Sequence, residues 1–458
     1  MRFIARYAKD LGDSFELITL YDERQDSEIL NKENPIIKTI ARKHPSAIWF
    51  ERKISDDFGI IFEDSFDKRS LVHQERFPKN IHPMRKDFKE NDIEFSDYIP
   101  YKYEEISGDS VYQVAVGPIH AGIIEPGHFQ FSQAGEGMLH LEVRHFYKYR
   151  AIEKMLEAKT LYEAKPIIER ISANESVAYQ IAFRDILLEA SSTPLPKSTQ
   201  KYHAFLLELE RIIHHLTDLG FIPNDAGFGA GLAICSKLSE DARRKLKEIS
   251  GHRFGFGAVD FEGDFKDKES LHLWLNQLSE DIKFFEDWIV DIPSVWDRFD
   301  TTGVLTLKKA IKYDSVGLVA RACGISVDRR LNEFYLSHGF KMQSELSGDV
   351  AGRFKLRIKE VKNSILMMHN FLDDKYDKDE DINLGEIKDG SYSSFVESSI
   401  GELFMAIDIK DGLIDRFYVR DPSFMNWQVI HTVMPENIIA DFPLINKSFD
   451  LSYAGNDL

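Results

Sequence analysis

Apolar residues recur three and four positions apart over residues 150–173, 175–191 and 200–220, and again over 268–292 and 350–373. A chain with that many amphipathic windows buries one face of each in a helix-rich core. Strand-like segments bracket the windows. Phe15–Tyr21 precedes them, and Val111–Val116 runs into the turn signal Gly117-Pro118. Phe129–Arg144 reads as a hairpin turning at Gly135-Glu136-Gly137, and Leu403–Ile409 returns to a strand near the end. The expected class is α+β, with a small α/β domain over 1–90, a polar linker over 91–110 and a large helix-rich domain over 111–458. Inside the first domain, Ile36–Arg42 reads as a short helix and Phe77–Phe88 as an extended connector. Farther on, Ser239 reads as the cap of a helix running to Ile249, and Asp373–Asp381 as an acidic surface loop.

Charge and cysteine content narrow the function. Among 458 residues, 58 Lys and Arg face 76 Asp and Glu, a net charge of −18. No net positive field is available to displace counterions, so a nucleic-acid partner is not expected. The two cysteines, Cys235 and Cys323, are too far apart in sequence for a CxxC pair, a thiolate cage or a disulfide framework. No stretch reaches the ~18–20 apolar residues of a membrane span, and the N-terminus lacks an apolar signal core. A cytoplasmic protein without a direct membrane span is expected, any membrane link coming through partners. No serine-hydrolase, zincin, P-loop or EF-hand pattern is present.

Three groups of residues could carry chemistry. Gly227-Phe228-Gly229-Ala230-Gly231 lacks the strand before it that a phosphate cradle needs, and close helix packing accounts for it better. Glu210, His214 and Asp218 fall on one helix face with His215 beside them, which suits either a metal site or proton relay, or i,i+4 ion pairs around a core histidine. His120, Glu125 and His128 sit in the Gly/Pro-rich loop 117–129. Imidazoles there could donate to a quinone oxygen or pass protons, or could simply brace a rigid loop; both readings stand.

That loop, Gly-Pro-Ile-His-Ala-Gly-Ile-Ile-Glu-Pro-Gly-His-Phe, resembles the signature of the large subunit of membrane-bound, energy-converting nickel–iron hydrogenases of the formate-hydrogenlyase type. The related catalytic-core subunit of respiratory complex I shares its Gly-Pro-x-His start. The resemblance continues through Tyr149–Lys154, Glu208–Leu216, Asn224–Phe228, Ala320–Ile325, Gly348–Val350 and Asp441–Phe449. Trp49–Arg52, Asp57–Ile60 and His82–Phe88 are similar to the small hydrophilic complex I subunit, fused ahead of the large one. The resemblance implies a peripheral subunit on the cytoplasmic face of the inner membrane. Its implied partners are an iron–sulfur small subunit, which holds the cluster, and antiporter-like integral membrane subunits.

The departures from that family bear on chemistry. Nickel in such hydrogenases is held by two pairs of cysteines, soft sulfur being suited to it. The matching positions here hold Ser172 and Glu175, then Ser452 and Gly455, and neither cysteine of the chain falls among them. The family's basic residue in a Glu-Ala-Pro-Arg-Gly-Glu block is missing from Glu397–Glu402, and no cleavable tail is expected after Leu458. No metal and no redox cofactor is therefore expected in this chain. The complex I likeness implies quinone as a ligand, with His120 matching one headgroup contact. The second contact falls at Ala173, leaving Tyr149 or Tyr179 to substitute. Glu175, placed where a ligand stood, is expected to have a raised pKa and to relay protons, with His120, Glu125 and Asp441 alongside. The rival expectation is a redox-inactive scaffold that docks the iron–sulfur subunit onto the membrane arm.

Overall fold

The computed structural model describes residues 1–90, 93–120, 124–260, 263–374 and 384–458. Most of the anticipated acidic loop, from 375 onward, and residues 121–123 of the 117–129 loop lie outside them, as do 91–92 of the linker.

The chain begins with an antiparallel meander, Phe3–Asp10, Ser14–Tyr21 and Gln25–Asn31. The helix Ala47–Phe58 packs on its first strand and is flanked by the parallel pair Ile36–Lys38 and Ile61–Glu63. Ile36–Lys38 is thus a strand and not the helix expected there. Its β-branched Ile36 and Ile37 suit pairing with Ile61 and Phe62, and the turn that follows stops any helix from extending.

A second meander, Val111–Val116, His128–Ala134 and Gly137–Arg144, matches the expected strand and hairpin. Residues 150–173 are not one helix. They form Ile152–Leu156 and Leu161–Ile168, separated by Ala158 in the left-handed region and restarted by a capping box at Thr160 and Glu163. Ser176–Ser191 and Lys197–Asp225 follow as long helices. The next helix runs Gly229–Ser250, so Ser239 is an interior residue, its hydroxyl bonded to the Ile213 carbonyl, and not a cap. The glycine run at 227–231 makes the turn between these two helices. Farther back, a Cβ on Gly220 would lie 3.0 Å from Cys235 Cβ, which shows how closely they approach. Lys268–Val290 and Val350–Asp373 complete the bundle.

The third meander, Gly390–Glu397, Glu402–Lys410 and Leu413–Arg420, joins the ends of the chain. Tyr7 stacks on Tyr418 with ring centroids 4.3 Å apart, Arg2 pairs with Glu402 at 2.7 Å and Lys9 with Asp408 at 2.8 Å. One apolar core runs from Phe3 and Phe50 through the helices to Phe424 and Phe449. The chain ends in the helices Pro422–Ile430, Phe442–Phe449 and Tyr453–Asp457. No helix among the described residues is long and apolar enough to cross a membrane.

Candidate functional site

The helix Ser176–Ser191 starts against the body of Lys197–Asp225. Glu210 of the longer helix accepts hydrogen bonds from the Val177 and Ala178 N–H groups at 2.7 and 3.2 Å, two of the donors a helix start leaves open. Burial pushes the Glu210 carboxyl up to about 8, against the pull of those two amides. This arrangement fixes the preceding loop, which carries Ser172 and Glu175. Glu210 is thereby committed to the helix start and is not part of the His214, His215 and Asp218 group.

The C-terminal segment meets that loop. Ser172 Oγ lies 3.3 Å from Ser452 Oγ, and Ser452 caps the helix Tyr453–Asp457 by accepting from the Gly455 N–H at 2.8 Å. Arg150 joins the two segments, donating to the Ile171 carbonyl at 2.8 Å and the Ala454 carbonyl at 2.9 Å. The four positions matched to ligand cysteines are therefore neighbours in space, although the chain separates the two pairs by most of the molecule.

Glu175 is fully buried. Its Oε1 accepts from Ser398 Oγ at 2.5 Å, and its Oε2 has no hydrogen-bond partner. Burial and the neighbouring Asp421 hold its carboxyl well above the usual range. Tyr179, one helical turn on, is also fully buried and donates to Asp421 Oδ2 at 2.6 Å. Burial and the same carboxylate raise the phenol well above its ordinary value. Tyr179 thus reaches this pocket. Tyr149 instead lies in the electrostatic reach of Asp57, Glu153 and Arg416, on the side of the N-terminal domain.

The donors at the four positions are two hydroxyls, one carboxyl and no side chain at Gly455. A Cβ at Gly455 would stand 2.0 Å from Asp421 Oδ2. This set does not fit a nickel–iron centre, which calls for soft thiolates. Cys323 is spent elsewhere, donating to the Leu305 carbonyl, and Cys235 is buried between helices. A cavity beside Ala173, Asn174 and Glu210 has a volume of only about 10 Å³.

The other anticipated residues fall into two groups. Glu125 reaches the pocket's edge, accepting from the Ala454 N–H at 3.0 Å and pairing with Lys148. His120 Nε2 bonds the Gly127 carbonyl at 2.7 Å. His128 bonds the Gly117 carbonyl through Nδ1 and Gln130 Oε1 through Nε2. Both histidines brace their own loop. Asp441 stands apart, accepting from Arg298 at 2.7 Å and from the Ile438 N–H at 3.2 Å. His214, His215 and Asp218 offer ligand atoms within 4.8 Å of one another, but each is already engaged: His214 lies 2.8 Å from Asp450, His215 hydrogen-bonds Glu360 at 2.9 Å, and Asp218 pairs with Arg357 and Lys447.

Three participants were not anticipated. Asp421 looks in sequence like the cap of a Pro422 helix, and it does accept from the Ser423 N–H at 2.7 Å. Ser398 lies in the block whose missing basic residue drew attention, but its hydroxyl gave no signal. His145 is wedged between Trp427 and Tyr453, at centroid distances of 4.2 and 5.3 Å, and burial pushes it down to about 3.

Residues 9–94 match the family described as respiratory-chain NADH dehydrogenase, 30 Kd subunit, and residues 225–388 the family described as respiratory-chain NADH dehydrogenase, 49 Kd subunit. Formate hydrogenlyase subunit 5 of Escherichia coli (strain K12) is 26% identical over 92% of this chain and 77% of its own length. Hydrogenase-4 component G of the same organism is 25% identical over 92% of this chain and 75% of its own length. The C/D polypeptide of the NADH-quinone oxidoreductase of Bdellovibrio bacteriovorus is 21% identical over 92% of this chain and 84% of its own length. One polypeptide thus contains a stretch matching each of these two complex I subunit families, the 30 Kd match ahead of the 49 Kd match.

Proposed function

We propose that this chain is a peripheral subunit of a membrane-bound, complex I-like oxidoreductase in which the nickel–iron site has been lost and a proton-holding carboxyl pocket stands in its place. The observation that carries this reading is the meeting of Ser172, Glu175, Ser452 and Gly455 around a fully buried carboxyl. A carboxyl in a dry pocket, its proton held by burial and by a second acid, is suited to accepting or releasing a proton when charge changes nearby. Electrons would arrive on an iron–sulfur cluster in a partner subunit, and antiporter-like membrane subunits would anchor the assembly to the cytoplasmic face of the inner membrane. Quinone is a candidate acceptor. With both histidines of the 117–129 loop bonded to that loop, a quinone headgroup would have to displace one of those bonds.

Purification of the native protein from its own membranes in gentle detergent tests this, with partners identified by mass spectrometry and metals counted in the same sample. Recovery with an iron–sulfur subunit and antiporter-like proteins, without nickel, is the expected result. Stoichiometric nickel, or recovery as a free protein, would overturn it.

The scaffold reading has one observation in its favour: Glu175, Ser172 and Tyr179 are sealed from solvent. In the purified complex, Glu175→Gln separates the two. A proton-holding role predicts slowed turnover with assembly intact, and a scaffold predicts no change.

A further inference from the structure

Gly455 sits inside the short helix Tyr453–Asp457, where glycine is a poor helix former, and its backbone is not in the left-handed region that would require glycine. What requires glycine is space. A Cβ there would meet Asp421 Oδ2 at 2.0 Å and Cγ at 2.5 Å. The carboxylate of Asp421 therefore fills the volume into which a side chain at 455 would project.

From that volume Asp421 reaches two elements. Its Oδ2 accepts from Tyr179 on the helix Ser176–Ser191, whose first turn follows Glu175, and its carboxylate acts on the buried Glu175 carboxyl, whose Oε2 has no hydrogen-bond partner. No Lys or Arg ion-pairs with Glu175 or Asp421 among the described residues. Arg150 acts on Tyr179 only through space, Arg211 spends its guanidinium on the Ser398 and Glu397 carbonyls and on Glu208, and Glu210 adds a further acid. Two buried acids in contact without a cation cannot both be ionised. Ser398 donates to Glu175 Oε1, so the proton belongs on the other oxygen, Oε2, which is the buried atom without a partner.

We infer that Asp421 replaces the missing fourth ligand side chain, and that Glu175 and Asp421 form a dyad holding one proton, which cross-links the 172–176 loop to the C-terminal helices where a metal would otherwise join them. The proton sits on Glu175 Oε2 and is donated to the Asp421 carboxylate, which keeps the Tyr179 hydroxyl on Oδ2 and the Ser423 N–H on Oδ1 as its other donors. The raised pKa of Glu175 agrees with this arrangement. This inference rests on the metal-free reading above. Stoichiometric nickel would defeat that reading directly, whereas the measurements below address the dyad in the full-length chain.

The first test is a double-mutant cycle on thermal stability with Gly455→Ala and Asp421→Ala. Gly455→Ala alone should lower the melting temperature sharply, and in the Asp421→Ala background it should cost little or nothing. Equal losses in the two backgrounds would overturn the proposal. The second test is stability against pH. A carboxyl whose folded pKa is raised stabilises fully below its unfolded value, and that contribution is lost as pH rises towards the folded value. The folded-to-unfolded ratio should fall about tenfold per pH unit from this group alone above ~4.5. Glu175→Gln should remove that component, leaving a flatter curve, with Asp218 and Glu397 common to both proteins and Glu210 changed only by losing its repulsion from Glu175. Superimposable curves would also overturn the proposal.

Discussion

Ser172 and Ser452 stand hydroxyl to hydroxyl at 3.3 Å, across 280 positions of sequence. Nothing but the fold brings them together, so their contact reports directly on the closure of the C-terminal segment. The double variant Ser172→Cys/Ser452→Cys should oxidise to a disulfide under mild conditions, because the two side chains already approach within the range such a bond spans. Thiol titration of the oxidised, denatured protein should find only the native Cys235 and Cys323. Persistence of the introduced thiols would mean that the two segments do not meet as described.

Glu210 provides a second check through the start of the Ser176–Ser191 helix. Removing its carboxyl in Glu210→Ala strands two buried N–H groups, at about 1–3 kcal/mol each. The wild-type carboxyl has its pKa raised to about 8. Its stabilisation is therefore complete below ~4.5 and is lost as pH rises through about 8. Glu210→Gln keeps one of the two acceptor oxygens and carries no charge, so chemical denaturation at pH 9 should find it more stable than Glu210→Ala. Equal stability of the two variants at that pH would contradict the cap.

These two sites show which parts of the molecule sequence could reveal. The strands Val111–Val116 and His128–Arg144 and the long helices follow from periodicity, because each buries one face against neighbours of its own kind. Periodicity failed at 150–173, where the break is made by backbone geometry at Ala158 and by a cap at Thr160. It failed at Ile36 because a three-residue strand is defined by its partner, Ile61, and not by its own pattern. In the pocket, the family likeness pointed to Ser172, Glu175, Ser452 and Gly455. Those positions lie outside the stretch 225–388 that matches the 49 Kd family, so geometry alone brings them together. Asp421 remained hidden because its sequence signal, a cap before proline, explains only one of its oxygens. Asp441, expected as a relay, lies apart from the pocket and accepts from Arg298 and the Ile438 amide.

Arg150 should be irreplaceable by lysine. Its Nη2 donates to the Ile171 and Ala454 carbonyls and its Nη1 to the Arg170 carbonyl at 3.3 Å, so two nitrogens held in one plane meet three acceptors, which the single nitrogen of an ammonium does not reproduce. Arg150→Lys and Arg150→Ala should both loosen the pocket. The expected signature is faster amide hydrogen exchange in residues 451–458 and 170–175, with the N-terminal meander unaffected. Unchanged exchange in both segments would show that the Ser452 cap and the aromatic cluster around His145 suffice without it.

The heaviest loss is expected at Arg321, which is fully buried. Its guanidinium donates to Glu360 Oε1 at 2.8 Å and Glu397 Oε1 at 2.6 Å, and it lies 3.2 Å from Asp328. Burial alone would raise Glu360, but Arg321 and His215 outweigh it and hold that carboxyl well below its usual range. The same carboxyl group accepts from His215 Nε2 at 2.9 Å, yet burial still pushes that imidazole down to about 3. Arg321→Met therefore removes one of three arginines, with Arg330 and Arg211, from this cluster, and it takes the donor from Glu397, whose carboxyl burial pushes up to about 7. Breaking a buried pair in this way costs about 3–5 kcal/mol, and here one residue serves several acids. Denaturant unfolding should show the loss at pH 7, with partial recovery as pH falls and the stranded carboxyls take up protons. A variant as stable as the wild type, or one that recovers on raising the pH, would contradict the charge assignment in this cluster.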